Sequence, residues 1–419
     1  MTVASGSFPG PLSGPSSGPS RGPSPDLDGP FALTAERLFD GDRFVHSVAP
    51  VIHAGRIEAL VPERELGDLP RFALDGVIAP GFVDVQINGC GGVMVNSAVE
   101  EATLDAMHAA NLRGGCTAFM PTLVSTDDAT MRAAMALVAA YREKNGPRPV
   151  MGLHLEGPYI SVERRGIHDP AMIRPLDLAM REELAAFAAR VPLLLTLAPE
   201  CVSDEDIRTL TKAGAVVALG HSAASYGRCM EAVAAGAGAV THLYNGMPPL
   251  TGREPGLLGA AFEAEELWCG LIADGQHVHP ASLRTALRLK KGRCCFVSDA
   301  TAPAGLAPGE AMTSFVFCGQ TIYVRDGRCE NADSTLGGSM LTMAEAFRFG
   351  LAHMGLGEAE ALRMASLYPA QMMGQDDLFG RIAPGRAANL VAYDPASYAL
   401  TAVVDRGRDI TADHRNFFR

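Results

Sequence analysis

The run Cys294-Cys295-Phe296-Val297-Ser298-Asp299 decides the fold, because seven similar runs precede it along the chain. Each run is short and apolar, and each has a polar or ionisable residue at or near its end. Apolar runs of this length are typical of strands that are buried on both faces of a parallel sheet. The other seven runs are GFVDVQ (81–86), TAFMPT (117–122), VMGLHLE (150–156), LLLTLAPE (193–200), AVVALGH (215–221), AVTHLYN (239–245) and CGLIAD (269–274).

The segments between these runs have the pattern of helices. Residues 97–115 and 181–191 are rich in Ala, Leu, Glu and Arg at helical spacing. Strands that alternate with helices predict a parallel sheet, and eight such units predict a (β/α)8 TIM-type barrel. In such a barrel the reactive groups gather at the carboxyl ends of the strands. We therefore expect the functional residues among the polar side chains that end the runs.

The two ends of the chain differ from its centre. Residues 1–30 are almost all Gly, Pro, Ser and other small residues, which predicts a disordered tail without a role in catalysis. Residues 31–79 and 378–419 consist of short strand patterns separated by turns. Because chain ends often lie close together, we predict one small β-sandwich domain built from both ends, with the catalytic barrel, residues 80–377, inserted between its halves.

Composition excludes several classes of function. The 419-residue chain has a net charge of −12, which argues against nucleic acid as the main partner, since a phosphate backbone requires a basic face. Its apolar runs are too short to span a bilayer, so we expect no membrane partner. The nine cysteines form no repeated C-x-x-C pair, which favours reduced, mostly buried thiols in a cytoplasmic protein.

Three residues at run ends are candidate metal ligands: Glu156, His221 and His242. A catalytic zinc-type site uses about three such protein ligands and keeps one position open for water. His221 and His242 are separated by about one βα unit, so neighbouring strands would bring both imidazoles to the same rim. Taken singly, each histidine could instead be a buried, hydrogen-bonded structural residue.

Other run ends offer acid–base and supporting groups. Asp299 is the candidate general base and acid, although it could instead be a capping Asp in a turn that starts a loop or a helix. An amide at Gln86, where a second metal would require imidazoles, favours a single metal. His168 follows an Arg-Arg-Gly loop, from which an imidazole could polarise a substrate carbonyl. His154 shares a strand face with Glu156, and we interpret it as a packing or supporting residue rather than a ligand.

With these motifs in place, the chain resembles the N-acetylglucosamine-6-phosphate deacetylase family of the amidohydrolase superfamily. The likeness runs from about residue 31 to 410 and leaves out only the Pro/Gly-rich tail. The segments that carry it include APGFVDVQINGCGG (79–92), LHLEGPYI (153–160), RRGIHDP (164–170), THLYNGMPPLTGREPGLLG (241–259), VSDATAPAG (297–305) and STLGGSMLTM (334–343).

The resemblance implies hydrolysis of N-acetyl-D-glucosamine 6-phosphate to D-glucosamine 6-phosphate and acetate by metal-activated water. It implies one divalent metal ion per subunit, zinc or iron, with cobalt or manganese as alternatives. Asp299 would act as general base and acid, and His168 would polarise the acetamide carbonyl. A homodimer is implied, in which Arg253 reaches the phosphate in the neighbouring site. The implied metal ligands are Glu156, His221 and His242, and the implied substrate contacts are Gln86, Asn245, Gly246, Arg253, His277, Leu336, Gly337, Gly338, Ser339 and Met340.

Two alternatives stay open on the sequence alone. The same fold and metal could act on another N-acyl amine or a cyclic amide, because barrels host many chemistries. A non-catalytic barrel that serves as a scaffold is the other alternative, although such a protein would be expected to lose metal ligands. Arg253 favours a phosphorylated substrate, because a guanidinium suits bidentate contact with phosphate.

Overall fold

The computed structural model describes residues 29–410, so the predicted tail lies outside the described residues apart from Gly29 and Pro30. The strands are β1 Phe31–Thr34, β2 Arg37–Phe39, β3 Phe44–Val45, β4 Val48–His53, β5 Arg56–Pro62, β6 Arg71–Ala73, β7 Val77–Pro80, β8 Phe82–Ile87, β9 Gly89–Cys90, β10 Val93–Met94, β11 Cys116–Val124, β12 Leu153–Glu156, β13 Leu193–Leu197, β14 Val216–Leu219, β15 Ala239–Val240, β16 Trp268–Leu271, β17 Cys294–Phe296, β18 Ser314–Phe317, β19 Gln320–Arg325, β20 Arg328–Glu330, β21 Leu390–Tyr393, β22 Leu400–Asp405 and β23 Arg408–Asp409. The helices are α1 Glu101–Arg113, α2 Asp128–Asn145, α3 Leu178–Ala188, α4 Asp204–Lys212, α5 Tyr226–Ala235, α6 Gly256–Glu263, α7 Pro280–Leu289, α8 Met343–His353, α9 Glu358–Ala365 and α10 Leu367–Met372.

Eight parallel strands form the central sheet, in the order β8, β11, β12, β13, β14, β15, β16 and β17. Each strand begins inside one of the eight apolar runs or directly beside it. The sheet closes on itself where Ile87 pairs in parallel with Ala300, just beyond β17. The prediction of a (β/α)8 barrel is therefore confirmed.

Local sequence explains where the outer helices begin. The side chain of Asp127 accepts a hydrogen bond from the backbone of Thr130 at the start of α2. At α4, Ser203 and Asp206 cap each other's backbone N–H groups. The apolar faces of the helices and the barrel strands together form one hydrophobic core that includes Phe82, Leu219 and Phe296. Burial of each such side chain contributes roughly 1.5–3 kcal/mol, so this core fixes the strand ends that carry the site.

Both ends of the chain contribute to the small β-rich part. One sheet has the order β23, β22, β21, β7, β2 and β3, and therefore joins C-terminal strands to N-terminal ones. A second sheet, in the order β5, β4, β1 and β6, comes from the N-terminal end alone. Phe31, Ile52, Ile382 and Leu390 share a separate core cluster. The predicted sandwich from both ends is thus present, while the exact domain boundaries at 31–79, 80–377 and 378–419 stay a prediction.

One element has no counterpart in the sequence-based prediction. Strands β18, β19 and β20 form a three-stranded antiparallel sheet that follows the eighth barrel strand. Its apolar side chains Phe317 and Ile322 pack with Val124 and Ile167 beside the barrel mouth. No helix in the described part of the chain combines the length and apolar character that a bilayer crossing requires.

Candidate active site and metal centre

Four ionisable side chains enter the barrel mouth from the ends of four strands. Glu156 is the last residue of β12, while His221, His242 and Asp299 follow β14, β15 and β17. The last three have left-handed backbones, with φ of 47°, 29° and 49°. This conformation costs a non-glycine residue roughly 1–2 kcal/mol. The strand exits are therefore strained where they present these side chains, as is common at functional sites.

The three predicted ligands meet at one point. Glu156 Oε1 lies 3.0 Å from His221 Nε2 and 2.9 Å from His242 Nε2. The two Nε2 atoms are 3.0 Å apart. An ion with bonds of roughly 2.1 Å and near-right angles between ligands needs donors about 3 Å apart, so this triangle fits one divalent cation. The arrangement brings together what the sequence predicted, and the residues fit the metal that the donor types imply.

The second nitrogen of His221 is also engaged. Its Nδ1 lies 2.8 Å from the carbonyl oxygen of Arg164. A carbonyl only accepts, so Nδ1 carries the proton and Nε2 is free to point its lone pair into the triangle. Gly246 packs against the same ring: it has φ of 62°, and an added Cβ would lie 3.0 Å from His221 Nδ1. Only glycine fits there without displacing the imidazole.

His168 lies beside this triangle and offers a second possible ligand set. One ligand atom each from Glu156, His168 and His221 all lie within 4.8 Å of one another. His168 Nδ1, however, is 2.7 Å from the hydroxyl of Ser125. Burial, and then the neighbouring His221, lower the pKa of His168 to about 3, so it is neutral at pH 7. The set with His242 is the tighter one, and the choice between the two stays a prediction.

Charge is balanced within the triangle. Burial alone would raise the pKa of Glu156, but the imidazoles of His221 and His242 outweigh it and hold the pKa well below its usual range. For His242 burial lowers the pKa, yet the hydrogen bond and charge of Glu156 raise it overall. Because a metal ligand must be a neutral imidazole, a bound cation would have to displace any proton that His242 holds.

Asp299 faces the triangle from across the mouth. Its Oδ1 accepts hydrogen bonds from Asn88 Nδ2 at 2.8 Å and from Gln86 Nε2 at 3.3 Å. Burial, and then the negative charge of Glu156, raise the pKa of Asp299 to about 6. The residue is followed by the bridge at Ala300 rather than by a helix, so the helix-cap alternative is wrong.

A cavity of about 240 Å³ joins these groups. Among the predicted substrate contacts, Asn245, Gly246, His277, Leu336 and Gly338 line it. Ser339 instead donates from Oγ to the carbonyl of Ser298, Met340 packs in the apolar cluster with Val124, and the backbone N–H of Gly337 donates to the Cys329 carbonyl. Arg253 is exposed on the loop before α6. Lining residues that sequence reasoning missed as substrate contacts include Asn88, Val124, Ile167, Phe317 and Thr335.

Two further histidines have distinct surroundings. His154 is bonded through both ring nitrogens, to Thr122 Oγ1 at 3.1 Å and Thr196 Oγ1 at 2.8 Å, so neither nitrogen is free to bind a metal. Its supporting role agrees with the sequence interpretation. His277 Nδ1 lies 2.6 Å from Asp274 Oδ2, which orients its ring toward the cavity.

Comparison with known proteins agrees with this geometry. A family model described as "Amidohydrolase family" matches residues 77–413. The chain belongs to the amidohydrolase family. It is 36% identical over 360 residues to N-acetylglucosamine-6-phosphate deacetylase of Haemophilus influenzae, covering 85% of this chain and 93% of that protein. It is 40% identical over 335 residues to N-acetylgalactosamine-6-phosphate deacetylase of a Shewanella species, covering 78% and 82%.

Solved structures give the same result for the fold. The crystal structure of N-acetylglucosamine-6-phosphate deacetylase from Pasteurella multocida matches with a TM-score of 0.86 at 34% sequence identity, covering 91% of this chain and 99% of that one. Likeness over this length extends to both the barrel and the small β-rich part. This amidohydrolase therefore shares its fold with that enzyme over 91% of its length.

Proposed function

We propose that this amidohydrolase hydrolyses N-acetyl-D-glucosamine 6-phosphate to D-glucosamine 6-phosphate and acetate. The observation that carries the proposal is the triangle of Glu156, His221 and His242, with Asp299 facing it across the cavity. The names of the similar proteins support the substrate. The ligands would hold one divalent ion, zinc or iron, with cobalt or manganese as alternatives, since imidazole and carboxylate suit all four.

When bound, the ion supplies a Lewis acid that lowers the pKa of water and polarises the amide carbonyl. Asp299 takes the proton of the attacking water and later donates it to the departing nitrogen, since an amine leaves only when protonated. The amide N–H groups of Asn88 and Gln86 hold the Asp299 carboxylate in place for both transfers. Its pKa of about 6 leaves it deprotonated, and so able to accept, at neutral pH.

His168 would stabilise the charge that develops on the carbonyl oxygen. In the tautomer that suits this role, the Ser125 hydroxyl donates to Nδ1 and the neutral ring carries its proton on Nε2, from which it can donate a hydrogen bond. A donor aimed at the developing oxyanion is worth several kcal/mol in a site that excludes water. A low pKa suits this role, because a neutral imidazole brings no second positive charge beside the metal ligands.

The sugar and phosphate would bind at the rim. Asn245, Gly246 and His277 line the cavity at the ends of the sixth and seventh barrel strands. Arg253 is exposed, so a guanidinium at that position is available to the phosphate of a neighbouring subunit in a homodimer. We propose a homodimer on this basis, and a cytoplasmic location because all nine cysteines are free thiols.

Acetate release tests the proposal directly. Purified, metal-loaded protein should release acetate from N-acetylglucosamine 6-phosphate and far less from the unphosphorylated sugar. Asp299→Asn should abolish most release while retaining the metal. Absence of acetate release from the phosphorylated sugar by protein that holds one metal ion per subunit would refute the proposal.

A second candidate substrate is N-acetylgalactosamine 6-phosphate. Two similar proteins bear that name, from Shewanella at 40% identity and from Escherichia coli O157:H7 at 36%. The two sugars differ only in the orientation of one hydroxyl, and both present the same acetamide and phosphate to the residues described above. Side-by-side kcat/KM values for the two sugar phosphates decide between them.

A further inference from the structure

Asp84 is a buried acidic residue that the proposed mechanism does not use. It lies on β8 between Val83 and Val85, and it is 0% exposed to solvent. Its Oδ1 accepts hydrogen bonds from the backbone N–H of Gln86 at 3.1 Å and of Ser298 at 3.3 Å. One carboxylate oxygen thus ties the first barrel strand to the segment after the eighth, at the point where the barrel closes.

The second carboxylate oxygen of Asp84, Oδ2, has no hydrogen-bond partner in the part of the chain that the structure describes. Asn111 Nδ2 of α1 likewise has none among residues 29–410. Both residues line the same small cavity of about 10 Å³. A buried polar atom without a partner destabilises the folded protein, and a cavity of roughly 10–15 Å³ holds one water molecule. An acceptor and a donor that face one such cavity are together suited to a single bridging water.

The segment that Asp84 holds leads directly into Asp299. Asp299 has a left-handed backbone, with φ of 49°. Its own N–H donates to the Gln86 carbonyl at 2.9 Å, and its carbonyl accepts from the Ser339 N–H at 2.8 Å. Such a strained conformation persists only where the surroundings fix it. The bond from the Ser298 N–H to Asp84 fixes the peptide between Val297 and Ser298, one peptide before the bond that leads into the strained residue.

We propose that Asp84, through a buried water shared with Asn111, is a positioning residue that holds Asp299 at the angle needed for proton transfer. The proton transfer by Asp299 rests on the proposed deacetylase activity. The buried water and the position of the Asp299 backbone can be tested without that activity. Asp84 does not line the cavity of the active site, so its effect would pass through the backbones of Gln86 and Ser298, both of which it holds.

Paired substitutions test the proposal. Asp84→Asn keeps the size of the side chain but places a donor where the water needs an acceptor, and Asn111→Leu removes the donor. We expect Asp84→Asn to lower kcat about ten- to a hundredfold, as misplacement of a reacting group by up to about 1 Å does. KM and metal content should stay within twofold of the wild type. Asn111→Leu should give the same pattern with a smaller loss. Thr103→Val, a buried polar change on the same helix, is the matched control and should leave kcat unchanged.

A crystal structure of the metal-loaded wild type provides a test without activity. Density for one water within about 3.2 Å of both Asp84 Oδ2 and Asn111 Nδ2 is the expected result, and its absence would overturn the proposal. An Asp84→Asn protein that folds less stably but keeps wild-type kcat would overturn it too. If the wild type is inactive on both sugar phosphates, the deacetylase proposal fails, and the density still decides on the water. If Asp84→Asn does not fold, Asn111→Leu and the density decide.

Discussion

Replacement of Asp299 by asparagine should separate catalysis from stability. The amide has the same shape and can still accept the hydrogen bond that Asn88 donates at 2.8 Å, so the site should keep its geometry. It cannot take up a proton, and loss of a general base typically lowers the rate about 10²- to 10⁴-fold. Glu156, His221 and His242 remain, so we expect metal content near one ion per subunit.

The Asp299→Asn variant should lose turnover but gain stability against unfolding in the metal-free state. The pKa of Asp299 rises from 3.8 to about 6 in the folded, metal-free protein, because burial and Glu156 disfavour its charge. For an acid whose pKa rises on folding, stability is lost as pH increases from about 4 through 6, and the full penalty is present above 6. The shift corresponds to at most about 3 kcal/mol. Because Asp299 is only partly shielded from water in the cavity, we expect about 1–2 kcal/mol.

Chemical denaturation of metal-free wild type and Asp299→Asn at pH 4.5 and pH 8 measures this directly. The variant should be more stable at pH 8, by about 1–2 kcal/mol, and its advantage should shrink at pH 4.5. Acetate release and metal analysis on the loaded proteins complete the comparison. Wild-type turnover in the variant, or a variant that is less stable at pH 8 by a similar amount, would refute the reasoning.

Three further predictions concern the ligands and the phosphate. His242→Gln should strip most of the metal, whereas His168→Gln should retain it and lose turnover; metal analysis with the reverse result would assign His168 to the ligand set. Glu156 raises the pKa of His242 above 6.5, so a metal ion must displace a proton when it binds. Calorimetry in buffers of different ionisation enthalpy should therefore show proton release, and metal binding should weaken as pH falls below about 6.5. A metal affinity that is constant from pH 5.5 to 8 would contradict this. Arg253→Ala should raise KM for the phosphorylated sugar at least tenfold, as expected for loss of a charge-assisted contact, and leave hydrolysis of the unphosphorylated sugar unchanged; equal losses on both would argue against phosphate binding.

Much of the fold could be predicted because the barrel obeys a local rule. Each buried parallel strand must be apolar over its few residues, and polar side chains can appear only where the strand leaves the core. The positions of Glu156, His221 and His242 therefore followed from the apolar pattern, and their distances of 2.9–3.0 Å agree with it. The β-rich ends could also be predicted from the sequence, since short strands separated by turns have a recognisable pattern.

Other features depend on contacts that no local pattern encodes. The sheet of β18 to β20 follows the eighth strand with a strand pattern but no barrel partner, so the place of Phe317 in the cavity could not be foreseen. Whether His168 or His242 is the third metal ligand depends on the distances between loops that are far apart in the sequence. The role of Asp274 as the partner that orients His277 requires the turn after the seventh strand to be known.

The strained strand ends explain why the site residues are costly to hold and hard to replace. A glycine at the position of His221, His242 or Asp299 would relieve the left-handed backbone, at roughly 1–2 kcal/mol per residue, and would remove the imidazole or carboxylate. A neighbouring glycine stands where a side chain would collide with the backbone: Gly338 has φ of 74°, and an added Cβ there would lie 2.8 Å from the carbonyl oxygen of Asp299. The chain thus places side chains at strained positions where chemistry requires them and glycine where a side chain would displace them. The left-handed strand ends that place Asp299 opposite the ligand triangle therefore also lower the stability of the barrel mouth.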